Sequence, residues 1–475
     1  MIPKGEHETP RTLRLALETD QTMAEYAYVP FVVPAKTTRI NLTYNYPRSD
    51  TCIIDLGVGN PDLTDFPSKG GLVGWSGGAQ RDIFIATDGA SPGYQPGIKT
   101  GTWQVILGLY RVPNEPVTVE IEITFDFAPR VAARPAAPSI GPTRGPSWYC
   151  GDLHCHTDHS DAKGSAATLH ATARREGLDF LAVSDHNTTT AHASYFDHLT
   201  SADLVFVPAY EFTTERGHGN VFGAREVEDF RVQNDQDVVD MIGRIRAKGH
   251  LFSINHDKPN IPWRYALPEI DCMEVWHAPW PSGNNISLEL YQARLSIGAR
   301  ITAVGGSDFH QPAVADVGNL ATLARPCTFL FCEELSIKGI LDALGKGRSF
   351  VTESPDGPRL VLNVDGIGHG GEIAGAKTIS LAYHATDATG DILEIWDATG
   401  CIVTTPIINT QERGVLKLTG ASGFLRGQIV AGESRDTIVS AAQSHVAAGK
   451  GGRLDWSNTL DQPVLRSLTS PIYLV

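Results

Sequence analysis

The sequence predicts an α/β central block flanked by N-terminal and C-terminal antiparallel β-domains, and three observations lead there. Segments rich in Val, Ile, Thr and Tyr fill residues 25–128 and return beyond 355. Between them, apolar strands alternate with helically spaced stretches, the signature of a parallel sheet or barrel. Finally, 47 glycines and 29 prolines among 475 residues suit many turns and short strands rather than long helices. A chain of this length exceeds one ordinary core and divides into several domains.

In order, YAYVPFVV, TTRINLTYNY, TCIIDLGV, DIFIAT, TWQVILGLYRV and PVTVEIEITFDF read as strands of a sandwich or jelly roll spanning 1–128. Residues 129–147 are rich in Pro and Ala and poor in apolar bulk, so they read as a linker or strap. From 148 to 355 the pattern alternates. LHATARREGLD is helical and stops at Gly177; FLAVSDHN and LVFVPAYEFT are strands; QDVVDMIGRIRAKG is a helix. LFSINHD and CMEVWHA are strands, SLELYQARLSIG a helix, ARITAVGGSDFH a strand, and SIKGILDALGKG a helix. Strand signals such as RLVLNV, TISLAYHA, DILEIWDA and FLRGQIVAG then fill 356–475.

A formal net charge of −15 argues against a nucleic-acid surface or an anionic-membrane binder, although a metal can reverse the field locally. The seven cysteines are scattered without a C-x-x-C pair, which suits a reduced compartment. The N-terminus is polar, without the apolar core of a signal peptide, and no run of eighteen apolar residues occurs. A cytoplasmic location is therefore expected.

The chemistry concentrates in the central block. Of sixteen histidines, twelve lie between 154 and 310. The stretch CGDLHCHTDHSDAKG carries His154 and His156 at i, i+2, with Asp161 on the loop beyond. In extended backbone this spacing puts both imidazoles on one face. Asp308 and His310 in GGSDFH repeat the device at the far end of the block. His186, Glu211, His218 and His256 fall at or just after strand ends, where parallel sheets and barrels place their sites. Imidazole and carboxylate donors suit Zn, Mn or Fe, and nine of them exceed what one tetrahedral ion can use. Two to three divalent ions are expected. His170, His192, His198 and His250 sit in helical or pre-strand positions and read as ordinary core histidines, while His159 and His277 are evenly balanced.

The series D-L-H-C-H-T-D-H-S-D, L-D-F-L-A-V-S-D-H-N-T, the Glu211 strand, I-N-H and G-S-D-F-H resembles the PHP (polymerase and histidinol phosphatase) superfamily. G-H-G-N and the GRSFVT tail are similar to its CehA/McbA branch. The match spans 148–355. It implies a distorted (βα)7 TIM-like barrel with metals at the C-terminal mouth. Carried over, His154, His156, Glu211 and Asp308 would hold one ion. Glu211 would bridge to a second, held by His218 and His256, and Asp161, His186 and His310 would form a third site or a catalytic wall. Ala162 and Asn187 depart from residues frequent in the family.

Such a site supports hydrolysis. Metal ions lower the pKa of water and offset the charge of a phosphorane-like or tetrahedral transition state. Asp308 is the candidate for orienting the nucleophile, with His186 or His310 protonating the leaving oxygen. Lys163, followed by Arg216, Lys258 and Arg264, could meet a phosphate. Trp148, Tyr149, Trp263, Trp276 and Trp280 could line an aryl pocket, though core packing is the plainer reading for each. The expected function is hydrolysis of phosphate mono- or diesters. The alternatives are a carbamate or carboxyl ester hydrolase on the same metals, and a ligand-binding protein with structural metals. A small-molecule ester substrate is expected, with no nucleic-acid or membrane partner and possible homo-oligomerisation.

Overall fold

The computed structural model describes residues 11–21, 23–130, 144–193, 204–259, 261–310, 322–432 and 463–475. Most of the expected 129–147 linker, and His198, lie outside these.

Strands β1 (Arg11–Thr19), β2 (Tyr26–Val33), β3 (Arg39–Asn45), β4 (Ile53–Gly59), β5 (Leu72–Gly77), β6 (Asp82–Ala86), β7 (Gly101–Arg111) and β8 (Val117–Asp126) form two antiparallel four-stranded sheets, β1-β8-β3-β6 and β2-β7-β4-β5. Alternation sets the pairing: along β2 and β8 every second residue is buried. The inward residues, among them Phe31, Tyr44, Trp103, Ile121 and Phe125, fill one core between the sheets. β1 extends the expected strand region toward the N-terminus; its RTLRLALET alternates like the rest.

The central block comprises β9 (Ser147–Asp152), β10 (Phe180–Val183), β11 (Val205–Thr214), β12 (Gly217–Phe222), β13 (Leu251–Ile254), β14 (Cys272–His277) and β15 (Thr302–Gly306), hydrogen-bonded in that order. β10 runs parallel to β9 and β11, and β13, β14 and β15 are mutually parallel; β12 alone is reversed, antiparallel to both its neighbours. The row curls round until Cys155 bridges Phe309 in parallel, with His156 N–H donating to Phe309 O at 3.0 Å and Asp308 N–H to His154 O at 2.8 Å.

A regular (βα)7 alternation is not shown among the described residues. The described residues of the block contain helices at Ala166–Arg175, Asp235–Ala247, Asn284–Ser296 and Ile337–Gly345, and a tight hairpin, not a helix, joins β11 to β12. The fold is mixed α/β with mostly β-sheet and few helices. Ser165, Asn234 and Ser336 cap three of the helices through their side chains. Gly177 and Gly249, both at positive φ, end the first two where a side chain would be strained.

The sheet continues beyond the block. β9 pairs with β16 (Cys327–Cys332), which pairs with β17 (Ser349–Thr352). The C-terminal strands are β18 (Arg359–Asn363), β19 (Glu372–Ile373), β20 (Thr378–Thr386), β21 (Ile392–Asp397), β22 (Gly400–Pro406), β23 (Gln411–Thr419), β24 (Phe424–Val430), β25 (Leu465–Thr469) and β26 (Ile472–Leu474). β18-β20-β23 forms its own sheet, whereas β25, β24, β21 and β22 extend the central sheet through β17. The chain end is thus sewn into the block.

Trp75 docks the N-terminal sandwich onto the block. It lies flat against β4 and β7 because Gly57 and Gly108 have no side chains; a Cβ at either would come within 2.4 and 2.7 Å of its ring. It packs edge-on to Phe230, with centroids 4.9 Å apart, inside the largest core cluster of the chain. Nearby, the buried Arg231 guanidinium pairs with Asp229 at 2.8 Å and donates to Tyr28 Oη and Thr64 O on the sandwich. No described helix is long and apolar enough to cross a membrane. Trp75→Ala removes a buried indole from this seam and should cost about 3–5 kcal/mol, read as an earlier midpoint in urea unfolding.

Candidate metal centre

Pairing of 155 with 309 sets two i, i+2 devices side by side. Cys155 and Phe309 turn into an apolar cluster, so His154 and His156 face the same side as Asp308 and His310. Asp152 fixes this corner: its buried carboxylate accepts from the backbone N–H groups of His154, Ser307 and Ala324 and from the Ser307 hydroxyl. Burial raises its pKa to about 6 against the opposing pull of those donors. Asp185 braces the other flank, accepting from Thr157 N–H and from the hydroxyls of Thr157 and Ser160.

Glu211, fully buried on β11, stands at the centre. Its Oε1 lies 3.3 Å from His154 Nε2, 3.3 Å from His256 Nε2 and 3.4 Å from His218 Nδ1. Its Oε2 lies 2.8 Å from His186 Nδ1 and 3.7 Å from His156 Nε2. Asn255 Nδ2 donates to Oε1 at 2.8 Å and holds the carboxylate in place. Asp308 Oδ1 lies 2.9 Å from His156 Nε2 and 3.2 Å from His154 Nε2. The half-exposed Asp161 approaches His310 Nε2 at 3.1 Å and His186 Nε2 at 3.4 Å. All nine sequence-expected ligands thus meet at one rim.

His218 reaches this rim for a reason the strand-end reading does not contain. It lies near the start of β12, and because β12 is reversed, its start adjoins the far end of β11, with His218 opposite Thr213. Backbone strain marks the same rim: His256, Asp308 and Asn187 all have positive φ, a conformation that persists only where surroundings enforce it. Asn187 carries out one such enforcement, with its amide donating to Thr213 O and accepting from Thr213 N–H. Ala162, the other departure from the family pattern, is buried in the Thr157–Ala162 turn.

The remaining sequence candidates divide. His277 joins the site, Nε2 2.9 Å from Asp308 Oδ2. His159 instead meets Thr190 Oγ1 at 2.7 Å and faces the N-terminal sandwich. His192 bonds to Ala209 O, and His170 and His250 lie in none of the candidate ligand groups among the described residues. Lys163 is exposed, with only its backbone N–H donating to His310 O. Arg216 pairs with Asp235 and covers the Tyr265 ring, and Arg264 lies 3.9 Å from Glu215. Lys258 is buried, donating to Ser282 Oγ at 2.8 Å, and burial lowers its pKa to about 7 despite Glu274 and Asp308. Trp148 packs on Phe331 and Phe350, Tyr149 bonds to Gly145 O, Trp263 joins Phe212 and Phe252, and Trp276 packs on Trp280. These aromatics are core, not an aryl slot.

Sequence reading missed Glu274. Buried on β14, it takes His154 Nδ1 at 2.8 Å on one oxygen and His256 N–H at 2.9 Å on the other. A carboxylate in the middle of the apolar run CMEVWH was the available signal.

The donor set fits divalent ions. The buried ring nitrogens His154 Nε2, both of His156, His218 Nδ1, and Asp308 Oδ1 lie close together yet have no hydrogen-bond partner. Such orphans are costly unless something else binds them. Ligand atoms gather within 4.8 Å in five overlapping groups, including His154–His156–Asp308, His154–Glu211–His256, His186–Glu211–His218 and His156–Asp161–His186–His310. Burial would raise the Glu211 and Asp308 carboxyls, but the surrounding imidazoles outweigh it and hold both well below the usual carboxylate range. Burial, with repulsion from His310 and His186, lowers His156 to about 4 and keeps it neutral, the form a metal needs.

No family model matches the chain, and no curated protein matches it. Among solved structures, the chain is similar to a two-domain protein from Bacteroides vulgatus containing a predicted PHP-like metal-dependent phosphoesterase, at 15% identity and TM-score 0.37, covering 63% of this chain and 95% of that one. It is also similar to a candidate metal-dependent phosphoesterase from Bifidobacterium adolescentis, at 17% identity and TM-score 0.25, covering 35% and 89%.

Glu274→Gln keeps shape but removes the charge that orients His154 and His256. Titration calorimetry with Zn²⁺ or Mn²⁺ should show binding weakened about 10–100-fold.

Proposed function

We propose that the chain is a metal-dependent phosphoesterase of the PHP type, acting on phosphate mono- or diesters. The observation that carries this is the single rim where six imidazoles, Glu211, Asp308 and Asp161 converge with buried, partnerless donor atoms. In this reading His154, His156 and Asp308 hold one of two or three Mn, Zn or Fe ions, and Glu211 is shared between neighbouring sites with His218 and His256. Asp161, His186 and His310 form the outer position. Bound ions supply Lewis acidity and lower the pKa of water from about 15.7 to near 7.

The chain's own part is positional. Asp152, Asp185, Asn255 and Glu274 fix the ligand rings and carboxylates before substrate arrives, so little reorganisation accompanies the reaction. His186 and His310, on the accessible side of the cluster, are placed to give a proton to the leaving oxygen if no ion occupies them, and Asp308 to orient the attacking one. Lys163, exposed beside His310, is available to a phosphate oxygen. Phosphate is favoured over a carbamate because the aromatics that would form an aryl slot are engaged in the core. A purely structural role for the metals fits poorly, since a structural ion closes with four ligands.

Metal-loaded protein should hydrolyse p-nitrophenyl phosphate or its bis ester faster than p-nitrophenyl acetate, and a chelator should abolish this. Faster acetate turnover would replace the proposal with a carboxyl-ester hydrolase. No turnover with metals bound would replace it with a binding protein. Glu211→Ala should lose most of its metal by elemental analysis, together with its activity, whereas His170→Ala should retain its metal load. Full loading of Glu211→Ala would overturn the shared-carboxylate assignment.

A further inference from the structure

At the opposite end of β14 and β15 from the metal rim is a cavity of about 610 Å³, the size of a small-molecule site. Asp271 and Thr302, at the starts of these strands, line it, whereas His277 and Asp308, at their far ends, belong to the rim. The last turn of the helix Asn284–Ser296 and Tyr473 of β26 contribute further walls, so the cavity lies on the seam with the C-terminal strands.

Its lining carries four cations against two acids, and the cations differ in company. Arg246 pairs with Glu269 at 3.1 Å and with Asp271 at 3.2 Å, Arg300 pairs with Glu372, and Lys346 is exposed. Arg294 has no such partner. It is only 8% exposed, on the inward face of its helix with Ser287, Tyr291 and Leu295. Among the described residues its guanidinium makes neither an ion pair nor a hydrogen bond, and Nη2 is buried without a partner. The helix C-terminus favours a cation in this turn, yet no carbonyl there accepts from it. The charge of Asp257 reaches Arg294, but Asp257 forms no ion pair with it and accepts from Trp263 N–H instead. A buried guanidinium without a counter-charge is costly, and arginine is rare on the inward stripe of a helix unless paired. The cavity is the space from which a counter-charge can come.

We propose that this cavity binds a small organic anion, a carboxylate or a phosphate monoester, whose charged end pairs with Arg294 and whose apolar part lies against Leu267 and Ile297. The planar guanidinium matches either charged group through two parallel hydrogen bonds. Leu267 and Ile297, 61% and 86% exposed, give the cavity apolar flanks that water alone does not explain. Both acids of the lining are held by Arg246, which leaves Arg294 in excess. The site shares no residue with the metal rim, so the inference stands apart from the phosphoesterase reading.

The test titrates the chelator-treated full chain with benzoate, phenyl phosphate and, as the neutral control, benzyl alcohol, by calorimetry. Chelation keeps ions at the rim from capturing the probes. At least one anion should bind one to one, with benzyl alcohol at least 10-fold weaker; the tighter anion identifies the charged end. Arg294→Met should weaken that binding at least 10-fold. Ile297→Asp, which puts a negative charge on an exposed position of the same wall, should weaken it too. Without a probe, Arg294→Met should unfold at an equal or higher urea concentration, because it removes an uncompensated buried charge and keeps the apolar stem. A lower midpoint would show the guanidinium to be matched within the chain and would overturn the inference. So would binding of neither anion, or binding unmoved by both substitutions.

Discussion

One short parallel pairing organises the molecule. Where Cys155 meets Phe309, the two ends of a seven-strand row close on each other, and the residues on either side of that bridge become neighbours across 150 residues of chain. Because extended backbone alternates its side chains, the closure sends one set, Cys155 and Phe309, into the apolar interior. It sends the other set, His154, His156, Asp308 and His310, to a common rim. Asp152 secures the join from beneath by taking donors from both ends at once. The price is visible in the backbone, since Asp308 and His256 hold positive φ that neither residue favours. Closure, burial and strain are therefore aspects of one arrangement.

The outer β-regions relate to this ring in different ways. The C-terminal strands are continuous with it, for β17 pairs with β25 and the sheet runs on through β24 and β21. That continuity fixes the side of the block where Ser349 Oγ donates to Ala303 O on β15. The N-terminal sandwich instead has its own core and attaches through side chains: Trp75 against Phe230, Arg231 against Tyr28, and Ser68 N–H against Asp229. A body joined in that way is positioned over the rim without being part of its scaffold.

Much of the rim was legible in the sequence because metal ligation demands residue types that rarely occur together by accident. The i, i+2 spacing of His154 with His156 and of Asp308 with His310 survives into the structure because the residues between them, Cys155 and Phe309, pair in a β-bridge and turn inward. The strand-end rule located His186 and His256, which lie just beyond the ends of β10 and β13. It located Glu211 and His218 only incidentally, since both lie within strands, and His218 reaches the rim because β12 is reversed. A reversal is invisible to periodicity, which reports that a segment is a strand and not which way it runs. The regular helix–strand repeat failed at the same place, where the β11–β12 hairpin replaces a helix. Glu274 went unseen because its partners, His154 and His256, are supplied by distant strands, and a lone acid in an apolar run has no local pattern. Similarly, Trp263 and Trp280 flank motif segments in sequence but turn inward, a choice settled by packing alone.

The charge at the rim explains why the site is built with so many imidazoles. Glu211 and Glu274 are buried, and Asp308 and Asp161 stand beside them, within a chain of net charge −15. Buried carboxylates are tolerated only when compensated. Lys258, the one lysine buried in this region among the described residues, spends its ammonium on Ser282 and the His277 carbonyl. Compensation must therefore come from what sits between the acids. Despite burial, nearby carboxylates push His186 up to about 9 and His310 to about 10, so protons can meet part of the deficit. A divalent ion meets the same deficit at the same nitrogens with twice the charge. Imidazole is the side chain that can hold either, which lets one constellation fold stably and still present its lone pairs to a metal.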